Sequence, residues 1–191
     1  MVDKVVADNF EAAFLVTGYL INNGYKQIAH IAGSPTRNVY RDRKEGYLAA
    51  LKKYDLPFNP DHLVFNDLSE KAGIIAVDRL VSLSPMPDAI FGANDTVSVS
   101  ALLHLQELGI EVPEAVAVIG FNNDPISSIV KPKLSTVDHP AREIGQTAAR
   151  RLLQRINVAD METPELRSET IILKTALIIR ESTFQLAPIK S

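Results

Sequence analysis

The feature that most constrains this fold is the alternation of short apolar runs with helical patterns along the chain. Four such runs recur at intervals of about 30 residues, the usual length of one strand–helix unit. They cover residues 28–32, 63–65, 89–92 and 115–120. Alternation of this kind predicts an α/β fold with a mostly parallel open sheet, right-handed crossovers and flanking helices. Such a sheet binds ligands outside the carboxyl ends of its strands.

Further helices and strands frame these four units. Residues 8–9 can cap a helix whose apolar residues recur at i, i+3, i+4 and i+7, and residues 23–24 end it. A second helix is predicted from Pro140, a residue suited to the first helical position, to residue 157.

The end of the chain carries two extended apolar patterns. Residues 169–174 and 176–180 are predicted to form a closing β-hairpin or strand pair. A tail at residues 185–191 is predicted to be mobile, because chain ends that nothing ties down are poorly ordered.

Composition excludes several classes of function. The 191 residues are 46% hydrophobic and 23% charged, which suits one α/β domain or one and a half. A net charge of -3 and a pI of about 5.8 make this chain by itself a poor nucleic-acid binder. Without cysteine there is no disulfide, thiol nucleophile or thiolate metal site, and a reducing interior is mildly favoured. The apolar runs are too short to span a membrane and the amino terminus is no signal peptide, so a cytoplasmic location is predicted.

Polar side chains follow all four predicted strands at the point where each strand ends. They are Arg37 and Arg43 in the first loop, Asp67, Asn94 with Asp95, and Asn122 with Asn123. Because the carboxyl ends of parallel strands meet at one edge of a sheet, these side chains are expected to lie close together. Guanidinium, amide and carboxylate groups hydrogen-bond to vicinal hydroxyls or to ring nitrogens and carbonyls, so a small-molecule site is predicted at this edge.

Each of these side chains also has a purely local explanation. Asp95 can cap the helix that follows the third strand, and Asp67 can serve the start of another helix. Asn122 and Asn123 can form a turn, since Asn tolerates left-handed backbone. Arg43 can be a surface charge on a solvated helix face.

The sequence carries no pattern for catalysis or for a cofactor. No nucleophile stands beside a base, no carboxylate pair has a spacing that justifies a glycosidase, and no metal-ligand cluster is present. Gly33 and Ser34 could cradle a phosphate, but neither phosphate-loop consensus occurs. The prediction is therefore a binding protein without enzymatic activity, cofactor or metal.

Short motifs occur in a fixed order along nearly the whole chain. They are Val6–Asn9, Asn23–Gly33, Arg41–Arg43 with Glu45–Tyr47, Asp88–Asp95, Leu108–Glu114, Val118–Phe121, Pro132–Val137 and Ile179–Thr183. Through these motifs the chain resembles the effector-binding region of the lac repressor (LacI/GalR) family of bacterial transcription regulators. The resemblance implies a type I periplasmic-binding-protein-like fold of two subdomains, with a small-molecule effector in the cleft between them. In the family, effector binding changes the subdomain angle, and a paired DNA-binding headpiece reads that change.

The resemblance also implies roles for particular residues. By motif match, Arg43 is the arginine that holds the effector. Asn94 is the polar ligand contact after the third strand, which leaves Asp95 to cap the following helix. Arg37, with Asn38, is similar to the arginine of the purine-type repressors, and it falls in a variable loop.

Three further positions match the family with departures or by place alone. Asn122 takes the place of the usual ligand-binding Asp, so one carboxylate that grips sugar diols is missing. Leu68 stands where an aromatic residue often stacks on the ligand, and His139 falls near a crossing position that is often polar and ligand-facing. These departures favour a ligand that is less diol-like, more oxidised or anionic, or absent.

The chain is expected to lack the headpiece, the hinge helix and most of the first subdomain of the family. The predicted division is a remnant of the first subdomain at 1–25, the second subdomain at 26–136, a helix returning to the first subdomain at 137–158, closing strands of the second at 159–184 and the tail at 185–191. The helices near the two chain ends would then lack the sheet that their apolar faces need. A second copy of the chain or an altered packing is predicted to bury those faces, so a homodimer is expected.

The leading interpretation is the effector-sensing part of a transcription regulator. Its effector would be a carbohydrate, a sugar phosphate or a nucleobase, and it would contact DNA only through a headpiece absent from this chain. Three alternatives stay open. They are a dimerisation module that has lost effector binding, a periplasmic sugar-binding transport protein of the same fold, and an α/β enzyme, for which no nucleophile or cofactor loop is found.

Overall fold

The computed structural model describes residues 3–159 and 168–183, which form two compact units. The larger unit holds residues 9–138 and 176–183, and the smaller unit holds residues 3–8, 139–159 and 168–175. The predicted mobile tail at residues 185–191 lies outside the described residues. Within the described residues, no helix combines the length and the apolar character that crossing a membrane requires.

The strands and helices alternate as the sequence predicts, and the α/β fold class is confirmed. In chain order the described elements are β1 (Lys4–Ala7), α1 (Asn9–Asn22), β2 (Ile28–Ala32), α2 (Asn38–Lys53), β3 (Leu63–Phe65), α3 (Glu70–Val81), β4 (Ala89–Gly92), α4 (Asp95–Glu107), β5 (Ala117–Ile119), β6 (Thr136–Asp138), α5 (Ala141–Ala159), β7 (Thr170–Leu173) and β8 (Ala176–Ile178). Short 3-10 helices occur at Pro60–His62 and Pro125–Ser128.

The larger unit is built on a parallel sheet with the strand order β3-β2-β4-β5. The chain moves outward from β2 to β3 and then returns to the other side of β2 for β4 and β5. The direction of winding therefore reverses between β2 and β4. Such a switch point opens a crevice beyond the carboxyl ends of the two strands, which directs attention to the loops that follow β2 and β4.

Successive residues of each strand face opposite sides of this sheet, so both faces are apolar, and helices cover both. Ile31 and Ile90 belong to a buried cluster with residues of α3 and α4. Ile28 and Phe91 belong to a second cluster with residues of α1 and α2. Tyr47 of α2 is fully buried in that cluster, and its hydroxyl donates to the carbonyl oxygen of Ile28 at 2.8 Å. Each large apolar side chain buried in this way contributes roughly 1.5–3 kcal/mol, so the sheet is held from both faces.

The first helix does not belong to a separate first subdomain, as the division at residues 1–25 predicted. α1 is part of the larger unit and packs along α2. The contact is close because a Cβ added to Gly46 would lie 2.2 Å from the carbonyl oxygen of Phe10 and 2.9 Å from the Cβ of Ala13. Of the two predicted ways to bury this face, a second copy of the chain or an altered packing, the contact with α2 corresponds to the second. The periodicity identified this face in part, since Ala13 and Leu20 are buried whereas Phe10 is 41% exposed.

The two extended segments near the end of the chain do not pair with each other, so the hairpin prediction is wrong. β7 pairs in parallel with β1, and β8 pairs antiparallel with β6. The first pair lies in the smaller unit and the second in the larger unit, so the chain passes from one unit to the other between Leu173 and Ala176. The range 159–184, predicted to hold closing strands of the second subdomain, therefore contains strands of both units. Residues 160–167 and 184 of that range lie outside the described residues.

The smaller unit combines α5 with the β1–β7 pair. Asp3 connects its parts, because its carboxylate accepts hydrogen bonds from Arg155 Nη2 at 2.7 Å, Arg151 Nε at 2.9 Å and the N–H of Glu169 at 2.8 Å. Arg155 and these other donors hold the pKa of Asp3 well below its usual range. α5 falls in the range predicted for a returning helix, and the chain leaves the larger unit after Asp138.

Candidate ligand-binding site

Arg43 is the charged centre of the carboxyl edge of the sheet. It lies in the second turn of α2 and is only 4% exposed, so the alternative of a surface charge is wrong. Its Nε donates to Oδ1 of Asn9 at 2.9 Å, and its Nη1 donates to the carbonyl oxygen of Ala93, directly after β4. The guanidinium carbon lies 3.5 Å from the ring centroid of Phe121, which follows β5.

Arg43 stays protonated in this environment, which fixes its position. Burial lowers the pKa of Arg43 to about 10, which still leaves the guanidinium charged at neutral pH. A desolvated cation over an aromatic ring gains about 2 kcal/mol or more. Each hydrogen bond from a charged donor adds roughly 1.5–3 kcal/mol. Arg43 therefore binds the start of α1 to the ends of β4 and β5 and places a positive charge near the switch point.

The polar pair after β4 differs from the prediction in which of the two residues caps the helix. The backbone of Asn94 is extended and its Oδ1 accepts a hydrogen bond from the N–H of Val97 at 2.8 Å, so Asn94 caps α4. Asp95 is fully buried, and its carboxylate accepts hydrogen bonds from Thr136 Oγ1 at 2.6 Å and from the N–H of Asp124 at 2.7 Å. The prediction that Asp95 caps the helix is wrong, because the residue before the first helical residue is the one that reaches the N–H three positions on.

Asp95 links the start of α4 to β6 and to the loop after β5. Burial raises the pKa of Asp95, and the hydrogen bonds from Thr136 and Asp124 partly oppose that rise. The carboxylate fits only because β5 is followed by glycine, since a Cβ added to Gly120 would lie 2.2 Å from Asp95 Oδ1. Asp95 is therefore a support of the site and is turned away from any ligand.

The loop after β5 contains two successive residues in the left-handed region, Asn122 with φ of 120° and Asn123 with φ of 58°. The N–H of Asn122 donates to the carbonyl oxygen of Val137 at 3.0 Å. The Asn123 side chain is engaged on both sides, by Asp138 and by Arg180. The Asn122 side chain is half-buried, and its amide has no hydrogen-bond partner among the described residues. A half-buried polar group of this kind is normally satisfied by water or by a ligand.

Leu68 and Tyr40 form an apolar surface beside Arg43. Leu68 has φ of 63° and is buried. Both side chains pack on Gly33 at the end of β2, where an added Cβ would lie 2.5 Å from the Tyr40 ring and 2.9 Å from Leu68 Cδ1. The Tyr40 ring centroid lies 5.7 Å from the Arg43 guanidinium carbon, and Asn94 Nδ2 lies 3.5 Å from the carbonyl oxygen of Leu68. The ring of Tyr40 therefore lies near the position where the family often has an aromatic residue and this chain has Leu68.

The remaining predicted site residues have other surroundings. Asp67 is exposed, and its Oδ1 accepts a hydrogen bond from the N–H of Ser69 at 3.0 Å. Hydrogen bonding to Ser69 lowers the pKa of Asp67, which fits the local role at the start of α3. Arg37 is exposed at the start of α2, where its side chain makes no capping hydrogen bond. His139 is half-buried and is the first residue of the chain in the smaller unit after β6. The ligand roles of these three residues stay predictions.

The sequence did not identify Tyr40, Phe121 or Arg180 as parts of this edge, and it assigned Asn9 only to a helix cap. The available signal was aromatic residues next to the polar ones, since Tyr40 precedes Arg43 by three positions and Phe121 precedes Asn122. Arg180 lies in the motif Ile179–Thr183 but far along the chain from the loop that it contacts.

A helix-covered parallel sheet with polar residues at a switch point defines an α/β ligand-binding protein of the periplasmic-binding class. Residues 17–183 match the model of the periplasmic binding protein-like domain, and the chain belongs to that family. Its relatives and structural neighbours are LacI-family transcription regulators, so the resemblance inferred from the sequence is confirmed.

Three of these proteins illustrate the similarity. The transcriptional repressor PurR of Aliivibrio fischeri is 33% identical over 179 residues, which cover 92% of this chain and 53% of that protein. The structure of the regulator CelR in complex with cellobiose has a TM-score of 0.87 and 31% identity, covering 95% of this chain and 54% of that one. A LacI-family regulator from Enterococcus faecium with bound ribose has a TM-score of 0.83 and 28% identity, covering 95% and 65%. The chain spans about half the length of the curated relatives that it matches.

Proposed function

We propose that this chain is the effector-sensing part of a LacI-type transcription regulator and that a small molecule binds at the carboxyl ends of β2, β4 and β5. The observation that carries the proposal is the arrangement of Arg43 and Asn122. A buried guanidinium is fixed beside the switch point, and a half-buried amide without a partner among the described residues lies in the neighbouring loop. The related structures named above hold cellobiose and ribose, which supports a sugar or a molecule of similar size.

The residues divide into supports and contacts. Arg43 provides charge and holds the strand ends together, while Asn122 and the Nδ2 group of Asn94 hydrogen-bond to the ligand. Leu68 and Tyr40 supply an apolar surface for the face of a sugar or base. Arg37, Asp67 and His139 are secondary contacts in this proposal. Arg37 and Asp67 are exposed, and His139 is half-buried.

The carboxylates near this edge favour an acceptor-rich ligand over one gripped through a diol. Asp95 is occupied by Thr136 and Asp124, and Oδ1 of the exposed Asp67 accepts a hydrogen bond from the N–H of Ser69. Amide and guanidinium donors then dominate the surface, and such donors suit carbonyl, carboxylate or phosphate oxygens. The proposed effector is accordingly a carbohydrate, a sugar phosphate or a nucleobase, with oxidised or anionic examples preferred.

A thermal-shift and calorimetry series with D-ribose, cellobiose, ribose 5-phosphate and hypoxanthine tests the sensor function. A ligand at 100 times its Kd should stabilise the protein by about 2.7 kcal/mol. Asn122→Gly should weaken binding of the stabilising compound, because Gly accepts the backbone conformation but lacks the amide. Asp55→Gly is the matched control, since Asp55 also has positive φ, 54°, and lies at the other end of α2. Equal affinity in both variants would count against Asn122 as a contact.

Self-association of the larger unit is a further part of the proposal. The outer surface of α3 and α4 carries a groove of about 440 Å³, lined among others by Ile74, Val99, Leu103 and Ile126. Ile74, Leu103 and Ile126 are 40–45% exposed, as expected for a surface that a second copy covers. Leu103→Glu should shift a dimer to monomer in sedimentation velocity. Leu108→Glu, at a comparably exposed position outside the groove, should not.

The chain has no proposed catalytic role, and its relatives are repressors and not enzymes. Contact with DNA would require a headpiece outside this chain, and the regulator would act in the cytoplasm. The alternative of a dimerisation module rests on the exposed apolar groove of α3 and α4. That alternative is favoured if none of the four compounds stabilises the protein while Leu103→Glu still abolishes the dimer.

A further inference from the structure

The loop that presents Asn122 is held in an unusual backbone conformation. Two successive L-residues, Asn122 and Asn123, have positive φ, a region in which residues other than glycine are strained. Strained residues persist only when surrounding contacts determine their conformation, and they occur preferentially at functional sites. The contacts that determine this loop are therefore part of how the site works.

The Asn123 side chain makes two of these contacts. Its Oδ1 accepts a hydrogen bond from Arg180 Nη2 at 2.8 Å, and its Nδ2 donates to Asp138 Oδ1 at 3.0 Å. Its own N–H donates to Thr136 Oγ1 at 3.2 Å. The side chain thereby connects the loop to β6 on one side and to the segment after β8 on the other.

Arg180 is itself fixed before it reaches Asn123. Its Nη1 donates to Leu134 O at 2.7 Å and to Ser127 Oγ at 3.0 Å, and its own N–H donates to Ser135 Oγ at 2.8 Å. The two Nη nitrogens therefore serve different partners, with Nη2 left for Asn123. A planar guanidinium can make such divergent hydrogen bonds, whereas a lysine ammonium is a single point charge on a flexible stem.

We propose that Arg180 and Asn123 are positioning residues for Asn122. Arg180 holds the Asn123 side chain, Asn123 anchors the loop to Asp138, and the loop then directs the Asn122 amide toward the ligand. The assignment of a ligand to Asn122 rests on the proposed function, but the positioning of the loop does not. The anchor residue Asp138 is also the last residue of the larger unit before the chain enters the smaller one, so the loop is tied to the crossing segment.

Amide hydrogen exchange in the ligand-free protein tests the positioning directly. Asn123→Gly permits positive φ but removes both side-chain contacts, and it leaves the bonds of Arg180 to Leu134 and Ser127 intact. The N–H of Asn122, bonded to Val137, should then exchange about tenfold faster, the effect of losing one hydrogen bond. The N–H of Gly120, bonded to the carbonyl oxygen of Ser135, should change little and serves as the internal reference.

Arg180→Lys distinguishes positioning from a purely structural role. As a single substitution, Arg180→Lys should also speed exchange of the Asn122 N–H. Its effect on the melting temperature should be small beside its effect on this exchange rate. Combined with Asn123→Gly it should add nothing at Asn122, because Arg180 acts through Asn123. Arg79→Lys is the matched control, since Arg79 is exposed and pairs with Asp61 away from the loop. Additive effects of the two loop variants, or equal changes at Gly120 and Asn122, would overturn the proposal.

Binding gives the second measurement. Asn123→Gly should lower the affinity for whichever of the four compounds stabilises the unaltered protein by about tenfold. Unchanged affinity despite faster exchange would overturn a role for the loop position in binding. If none of the compounds binds the unaltered protein, the proposed function fails, while the exchange measurement still decides the positioning.

Discussion

The ends of β4 and β5 each carry a pair of polar residues, yet the two pairs are used differently. After β4 a helix begins at once, so Asn94 caps it and Asp95 turns inward to Thr136 and Asp124. After β5 no α-helix follows directly, and the pair Asn122–Asn123 forms a left-handed loop. There one residue anchors the loop and the other keeps its amide without a partner among the described residues. Polar side chains at a helix start are used for capping or for inward hydrogen bonds, whereas a strained loop can leave one available for a ligand.

The largest expected effect lies at the β4 end. Asp95→Ala removes the acceptor for Thr136 Oγ1 and for the N–H of Asp124, and both groups would lose their partner in or near the core. We expect the free energy of unfolding to fall by about 2 kcal/mol or more, measured by urea denaturation. Asp95→Asn is the isosteric comparison and should cost less, because its remaining oxygen still accepts one bond. A loss below about 0.5 kcal/mol would contradict the inward role of Asp95.

Removal of the cap should have a smaller effect at the same strand end. Asn94→Ala leaves the N–H of Val97 without its acceptor, and the free energy of unfolding should fall by about 1 kcal/mol. Asn94→Asp keeps an oxygen at the same position and should retain that stability. If both variants are equally destabilised in urea denaturation, the capping bond is not what Asn94 contributes.

At the β5 end, stability should change little. In Asn122→Gly the relief of positive φ and the greater freedom of the unfolded chain oppose each other, so the net change should stay within about 0.5 kcal/mol. The two strand ends are thereby separated by stability, since the β4 variants lower the unfolding free energy and the β5 variant leaves it nearly unchanged. A loss above about 1 kcal/mol in denaturation would remove this contrast.

The smallest expected effect is a pH dependence carried by the helix that follows β4. His104 of α4 lies within hydrogen-bond distance of Glu107 Oε2 at 3.0 Å and Asp78 Oδ1 at 2.8 Å, and the bonds to Glu107 and Asp78 raise its pKa above the usual value of 6.5. Because the folded pKa exceeds the unfolded one, the stabilisation is complete below pH 6.5 and is lost as pH rises through the folded pKa. Denaturation at several pH values should reveal a loss of stability above pH 6.5 that His104→Gln removes. The same loss in His104→Gln would assign it to another group.

Local patterns predicted much of the fold because they depend on residues near each other in sequence. Strand alternation and helix periodicity located β2 to β5 and α1 to α5, and the polar residues after each strand marked the edge that bears the site. The resemblance to LacI-type regulators added candidate ligand contacts among and beside them, which are Arg37, Arg43, Leu68, Asn94, Asn122 and His139. Periodicity could not identify which partner covers an apolar face, and so the prediction for α1 left open both a second copy and an altered packing.

What the sequence determined by itself is the α/β class, the parallel sheet and the carboxyl edge at which polar side chains collect, since all three follow from local spacing and chain order. Only the tertiary structure decided which of those side chains are held in buried contacts and hydrogen bonds within the protein. The deciding contacts join residues between 29 and 78 positions apart along the chain. They are the packing of Arg43 on Phe121, the hydrogen bond between Asp95 and Asp124, and the hydrogen bond from Arg180 to Asn123. Hydrogen bonds and packing over such separations depend on how the strands are ordered in space, which adjacent residues do not encode.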